Sequence, residues 1–175
     1  MGLLPDFVLD YISDTTFWTI LLIVHGLLAI ALLGAISHQA MSVLMPVRRV
    51  AGAIGEAGIV TRFRSVQGAG YTAAVCVLWI VVYFFGAWLY TKYRMYVRIP
   101  IEAQGFWKTQ GVFDLKEHVA TIGLGLLPIY WFFWKNARNP EYDSARKWLT
   151  VVLAAMVWYN FLVGHILNNV RGFGS

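Results

Sequence analysis

Residues 114–134 read DLKEHVATIGLGLLPIYWFFW, and residues 148–169 read WLTVVLAAMVWYNFLVGHILNN. Each stretch supplies the roughly 20 residues, most of them apolar, that an α-helix needs to cross about 30 Å of hydrocarbon. The first begins with charged residues and a histidine, His118, and the second carries His165 near its end. These stretches predict two membrane-spanning helices that hold ionisable groups towards one end.

The composition of the whole chain supports a membrane location. Of the 175 residues, 59% are hydrophobic and 13% are charged, whereas soluble domains have about 45–50% apolar and about 25% charged residues. The length leaves no room for a separate soluble domain, so we expect a single transmembrane domain over residues 1–175. We attribute the net charge of +5 to basic residues that flank the spans and meet lipid headgroups, and not to nucleic-acid binding.

Four segments qualify as membrane spans, at about 17–41, 70–92, 115–134 and 147–169. The predicted fold is therefore an all-α integral membrane four-helix bundle. Two long connections are expected at the membrane surface. We predict that residues 47–67 form an amphipathic helix, because apolar residues and arginines are mixed there. The second connection, 93–114, is expected to be broken by Pro100, Gly105 and Gly111, and to cover one end of the bundle or meet a partner protein.

An even number of spans places both termini on the same side of the membrane. We name this side A, and the connections 42–69 and 135–146 lie on side B. Side B holds eight basic residues and side A holds six. Because basic residues are enriched in cytoplasmic loops, side B is predicted to be cytoplasmic. We expect a bacterial inner (cytoplasmic) membrane protein with both termini on the non-cytoplasmic side.

All four histidines, His25, His38, His118 and His165, lie within the predicted spans. An ionisable side chain in this position is costly and by default marks a functional site. At 1.5 Å per residue, His118 and His165 each lie about 5 Å inside side A, and His25 lies about 12 Å deep on the same side. His38 lies towards side B. Structural histidines that hydrogen-bond to a neighbouring helix are the alternative.

Histidines from different helices at a similar level of a bundle suggest axial ligation of haem iron. Neutral imidazole donates a nitrogen lone pair to the metal, and four-helix bundles hold such cofactors between facing helices. We therefore predict one haem b, with His118, His165 and His25 as candidate ligands. His118 and His165 are the preferred pair because they share a depth.

Basic residues near side A are predicted to neutralise the haem propionates, and these are Arg94, Arg98, Lys92 and Lys116. Ordinary charge beside a membrane span is an equally good explanation for them. A second haem near His38 would need a non-histidine ligand such as Met41 or Met45. His25 and His38 are thirteen positions apart, which leaves them roughly 140° apart around a helix, so they do not form a paired-histidine face.

The stretches 117-EHVATIGLGLLPIYWFFW-134 and 146-RKWLTVVLAAMVWYNFLVGHI-166 flank a short charged connection. A helix with a histidine at its start is thus followed by a helix with a histidine near its end. In this pattern the chain resembles small four-helix membrane b-type cytochromes and the small membrane proteins associated with haem–copper oxidases. The resemblance covers the four spans, and it implies electron transfer within a larger complex.

Three functions remain open. The first is a haem-binding electron-transfer subunit of a respiratory or photosynthetic complex, which would exchange single electrons with quinol or cytochrome c. The second is a copper, zinc or iron site for metal handling or oxidase assembly, formed by His25, His118 and His165 with Glu117. The third is a cofactor-free accessory subunit. All three predict the lipid bilayer and other subunits as partners, and a free-standing enzyme is not expected, because the chain has no GxSxG motif or phosphate loop.

Overall fold

The computed structural model describes residues 13–46, 58–59 and 68–170, and the side chains up to residue 167. In this part of the chain the protein is all-helical, with four long helices. The helices are α1 (Asp14–Leu44), α2 (Gly68–Tyr93), the short α3 (Ile99–Ala103), α4 (Trp107–Lys135) and α5 (Asp143–Val170). A π-helical segment, Arg94–Arg98, joins α2 to α3, and a 3-10 turn, Pro140–Tyr142, precedes α5.

The four long helices form an up-down-up-down bundle. α1 packs against α2 and α5, and α4 packs against the same two helices. Contacts between the helix ends show that neighbours run antiparallel, since Asp14 at the start of α1 lies 3.6 Å from Lys92 at the end of α2. This topology places the start of α4 and the end of α5 on side A, as the sequence predicts.

Three of the predicted spans are long and apolar enough to cross a membrane: Asp14–Leu44, Gly68–Ala103 and Pro140–Leu167. Among the described helices, α4 is of sufficient length but is less apolar than these three, so the fourth membrane span stays a prediction. Charged residues occupy its first turns, and glycine, proline, tyrosine and tryptophan dilute the remainder. Its place in the bundle follows from its contacts with α2 and α5.

The connection at 93–114 is far more helical than predicted. The chain continues from α2 through the π-helical segment into α3, and only residues 104–106 separate α3 from α4. Pro100 lies in the first turn of α3, where its missing N–H is tolerated. Gly105 has a φ of 78° and forms the turn between α3 and α4, so the predicted break at this glycine is present. The predicted surface helix at 47–67 lies outside the described residues apart from 58–59.

The outer face of α1 is apolar. Ile20, Ile23, Leu27 and Ile30 are between 50% and 63% exposed, and they follow one another at helical spacing. A continuous apolar face of this kind is unfavourable in water but suits contact with lipid tails. The surface of the bundle thus agrees with a chain that is apolar on the outside as well as in its core.

The side-B half of the bundle is held together by a buried polar network. Gln39 of α1 is fully buried, and its side-chain amide donates to the backbone carbonyl of Gly68 at 2.8 Å and to the hydroxyl of Thr72 at 3.2 Å. The hydroxyl of Tyr130 in α4 donates to the Gln39 side-chain oxygen. One side chain therefore connects three helices and leaves its own amide satisfied.

Glycine residues allow tryptophan rings to pack directly against helix backbones in the same region. A Cβ atom at Gly68 would lie 2.4 Å from the Trp134 ring, and a Cβ atom at Gly123 would lie 2.0 Å from the Trp79 ring. The indole of Trp134 also donates to the hydroxyl of Thr150 in α5 at 3.0 Å. These contacts leave the side-B half closely packed, with Trp79 at its boundary towards side A.

Candidate functional site

A cavity of about 280 Å³ lies in the side-A half of the bundle. Residues from all four long helices line it, and most of its wall is apolar or aromatic. Its volume is close to the lower limit of typical small-ligand sites, which is about 300 Å³. The cavity is therefore large enough for a bound molecule and is the candidate functional site of the described structure.

Aromatic side chains line the cavity at both ends. At the inner end, the indole of Trp79 donates to the backbone carbonyl of Ala120 at 3.3 Å, which fixes the ring. At the side-A end, Tyr93 stacks on Phe113 with 3.8 Å between the ring centroids. The Tyr93 hydroxyl donates to the side chain of Gln110 at 2.6 Å. The predicted covering of one bundle end by residues 93–114 is thus formed by residues that also line the cavity.

His25 reaches the cavity from α1. Its Nδ1 atom is buried and has no hydrogen-bond partner among the described residues, although the Val82 backbone lies within reach of the ring. Gly86 of α2 faces the imidazole, because a Cβ atom there would lie only 3.2 Å from the His25 Cε1 atom. A buried polar atom without a partner costs about 1–3 kcal/mol, so a bound group that engages Nδ1 would be favoured.

His165 reaches the same cavity from α5. Its ring lies parallel to that of Phe161, one helical turn earlier, with 6.2 Å between the centroids. Phe161 also lines the cavity, as does Gly164 beside the histidine. Phe161 and His165 therefore share a face of α5, and both line the cavity.

His118 does not line the cavity, contrary to the expectation that it faces His165. It is exposed, and its Nδ1 atom lies 2.6 Å from the backbone carbonyl of Asp114 in its own helix. The reason is helical geometry: Phe113, Lys116 and Glu117 occupy the inward face of α4, and His118 follows at about 100° from Glu117. The structure therefore brings His25 and His165 together at one cavity and leaves His118 outside.

The predicted three-histidine metal site is also not formed. No group of three or more His, Cys, Asp or Glu residues suited to a metal ion occurs within 13–46, 58–59 or 68–170. His38 lies outside the cavity, and its ring is stacked on Tyr71 at a centroid distance of 5.9 Å. A second haem near His38 stays a prediction.

Of the four basic residues predicted to meet the haem propionates, three lie away from the cavity and one lines it. Arg98 pairs with Glu102 at 2.7 Å, Lys92 is buried beside Asp14, and Arg94 is exposed. None of these three lines the cavity. Lys116 is the member of the predicted set that does.

Two further polar side chains at the cavity were not assigned to a haem site from the sequence. Glu117 lines the cavity and forms an ion pair with Lys116 at 2.7 Å. Asn160 of α5 lines it as well, and its side-chain oxygen is buried without a hydrogen-bond partner in the described structure. Asn160 lies four positions before Gly164 and therefore on the same face of α5. This spacing could have predicted from the sequence that Asn160 lies at the site.

Comparisons with protein-family models, with curated proteins and with solved structures give no match for this chain. The function therefore has to be argued from the cavity itself.

Proposed function

We propose that the protein is a haem-b-binding electron-transfer subunit of a larger membrane complex, in which His25 and His165 would hold the haem in the side-A cavity. The observation that carries this proposal is that histidines from two different helices line one largely apolar cavity. Two imidazoles contributed by facing helices are a common ligand set for haem in membrane bundles.

The residues at the cavity fit a haem in their chemistry. His25 offers a buried ring nitrogen that no described residue engages. Gly26 lies on the wall, and nothing stands within 4 Å of the point where its Cβ atom would be, which leaves space for a flat ring system there. Lys116 provides a cation at the same wall. When bound, the haem would supply one-electron chemistry between its ferric and ferrous states.

The chain's own residues then hold and tune the site. Gly86 makes room for the His25 ring, and Phe161 packs parallel to the His165 ring. The Tyr93–Phe113 stack shields the cavity on side A, and Trp79 closes it towards the bundle centre. Burial and nearby charge are the means by which a protein sets the reduction potential of such a site.

The outer face of α4 supports the proposal of a larger complex. Its exposed residues include His118 and Thr121, which are poor neighbours for lipid, and its most apolar stretch is less apolar than those of α1, α2 and α5. A helix of another subunit would cover this face. We propose a bacterial cytoplasmic membrane with side B in the cytoplasm, and quinol or cytochrome c as the electron donor.

The proposal is tested by the optical spectrum of the purified protein. A dithionite-reduced minus air-oxidised spectrum should show the sharp α-band of low-spin haem b, and a pyridine haemochrome assay should give about one haem per chain. Metal analysis is made on the same sample. Stoichiometric copper, zinc or non-haem iron without haem absorption would favour a metal-handling function. Absence of both, in protein purified with haem supplied during expression, would favour an accessory subunit.

A further inference from the structure

Lys116 and Glu117 form a partly buried ion pair on the α4 wall of the cavity, and the proposed ligation by His25 and His165 uses neither of them. Their side chains are 14% and 26% exposed, and the ammonium lies 2.7 Å from the Glu117 carboxylate. Removing two charges from water is expensive, and the attraction within the pair returns only part of that cost. The pair therefore adds little to the stability of the bundle, and a role towards a bound molecule is a better explanation.

The position of Lys116 places its charge between α4 and α5. Its Cε atom lies 3.4 Å from the point where a Cβ atom at Gly164 would stand, next to His165. Its Nζ atom lies 4.9 Å from the centroid of the Phe113 ring. The glycine thus lets the lysine chain lie against α5, and the ammonium is held at the cavity wall near the predicted ligand.

Asn160 gives a second, independent sign of a polar ligand group at this wall. Its side-chain oxygen is buried without a partner among the described residues, and it lies one helical turn before Gly164. Buried polar groups in native proteins are almost always hydrogen-bonded. A bound molecule with a hydrogen-bond donor would satisfy this oxygen, because an amide oxygen only accepts.

We infer that the Lys116 ammonium binds a carboxylate of the molecule that occupies the cavity, with Glu117 as the competing partner of the lysine. The inference rests on the proposed function in that the carboxylate would be a haem propionate. Charge-assisted hydrogen bonds to carboxylates are roughly twice as strong as neutral ones. Lysine acts here as a point charge that changes its anionic partner when the ligand binds.

The test compares metal-free protoporphyrin IX with its dimethyl ester. Neither porphyrin contains iron, so histidine ligation contributes to neither, and only the free acid carries carboxylates. Both are titrated into the purified full-length protein in detergent, with porphyrin fluorescence as the readout. The ratio of the two dissociation constants is compared between variants, because differences in partitioning into detergent then cancel.

The ratio of the two dissociation constants should favour the free acid about tenfold more in the wild-type protein than in Lys116→Met. The reason is that the variant loses a hydrogen bond to a charged group. Lys116→Arg should retain most of the preference. Lys108→Met is the matched control, because Lys108 is an exposed lysine on the same helix, and it should behave as wild type.

Glu117→Gln provides an effect of opposite sign and covers the case in which Lys116→Met fails to fold. Without the competing carboxylate, Lys116 should bind the free acid about threefold more tightly, as expected from the modest strength of a partly exposed ion pair. Unchanged or weaker binding of the acid by Glu117→Gln would overturn the inference.

The outcomes separate this inference from the proposed function. If haem is not ligated by the histidines but the acid preference is present in wild type and lost in Lys116→Met, the haem function fails and the carboxylate site stands. If haem is ligated but the acid preference is equal in both proteins, the inference is overturned and the haem function stands. If the wild-type protein binds neither porphyrin, the inference is overturned, and the haem function is decided by the optical spectrum alone.

Discussion

Glycines and buried polar side chains occur in both halves of the bundle, but they have different surroundings in each half. In the side-B half, Gly68 and Gly123 admit tryptophan rings, and Gln39 of α1 has partners on two other helices, α2 and α4. In the side-A half, Gly86 and Gly164 admit a histidine and a lysine, and buried polar atoms of the cavity wall lack partners in the described structure. The side-B half is thus closely packed and its polar groups are paired, whereas the side-A half of the same four helices holds the cavity in which we propose that a ligand binds.

The largest effect is expected at the glycine–tryptophan contact. Gly123→Ala would place a methyl group 2.0 Å from the Trp79 ring, and Trp79 is buried, so we expect a loss of about 3 kcal/mol in the free energy of unfolding. Gly125→Ala is the control on the same helix, where nothing lies within 4 Å, and it should be neutral or gain up to about 1 kcal/mol. Equal stability of the two variants in detergent unfolding would refute the close packing of this region.

Gln39→Leu is expected to be the next most damaging change. It would leave the Gly68 carbonyl and the hydroxyls of Thr72 and Tyr130 without their partner, at a cost of about 2 kcal/mol in unfolding free energy. Chemical unfolding of the purified variant in detergent measures this. A variant as stable as wild type would show that the network does not hold the side-B half together.

Gly86→Ala moves the comparison to side A. The added methyl group would lie 3.2 Å from the His25 ring and would displace the imidazole, so we expect about tenfold weaker haem binding with a change in apoprotein stability below about 1 kcal/mol. Gly70→Ala on the same helix, with nothing within 4 Å, is the control. Haem titration of the two apoproteins distinguishes them, and equal affinities would contradict the placement of His25.

The smallest effect is expected for Asn160→Leu. Because the Asn160 side-chain oxygen is buried without a partner in the described structure, its removal should leave the apoprotein unchanged or more stable by up to about 1 kcal/mol. The same kind of substitution at Gln39 is expected to be destabilising, so the pair compares the two halves directly. A loss of 2 kcal/mol or more at Asn160, measured by unfolding in detergent, would assign this residue a structural role like that of Gln39.

The sequence predicts the helices and their order well, because long apolar segments leave few alternatives in a membrane. It fails at 93–114, where Pro100 and Gly111 indicate an irregular chain. Proline is tolerated in a first helical turn, and Gly111 is accommodated within α4. Pro100 and Gly111 therefore do not interrupt the helices, because each occupies a position at which a helix tolerates it.

The candidate site was predictable only in part. Depth along the helix places His25 and His165 in the same half of the bundle, but depth does not say which way a side chain faces. The inward face of α4 follows the helical spacing of Phe113, Ala120 and Leu127, and His118 lies off that face, so closer attention to periodicity would have excluded it. The contact between Gly86 and His25 could not be predicted, because it depends on how two separate helices pack.

The most direct test of the central claim is the haem content of four single variants: His25→Ala, His165→Ala, His118→Ala and His38→Ala. Each protein is purified with haem supplied during expression, and its reduced minus oxidised spectrum is normalised to protein. If His25 and His165 hold the haem, the low-spin α-band is lost in the first two variants and retained in the last two. Loss of the band in His118→Ala with retention in His25→Ala would contradict the account and restore the ligand pair expected from depth alone.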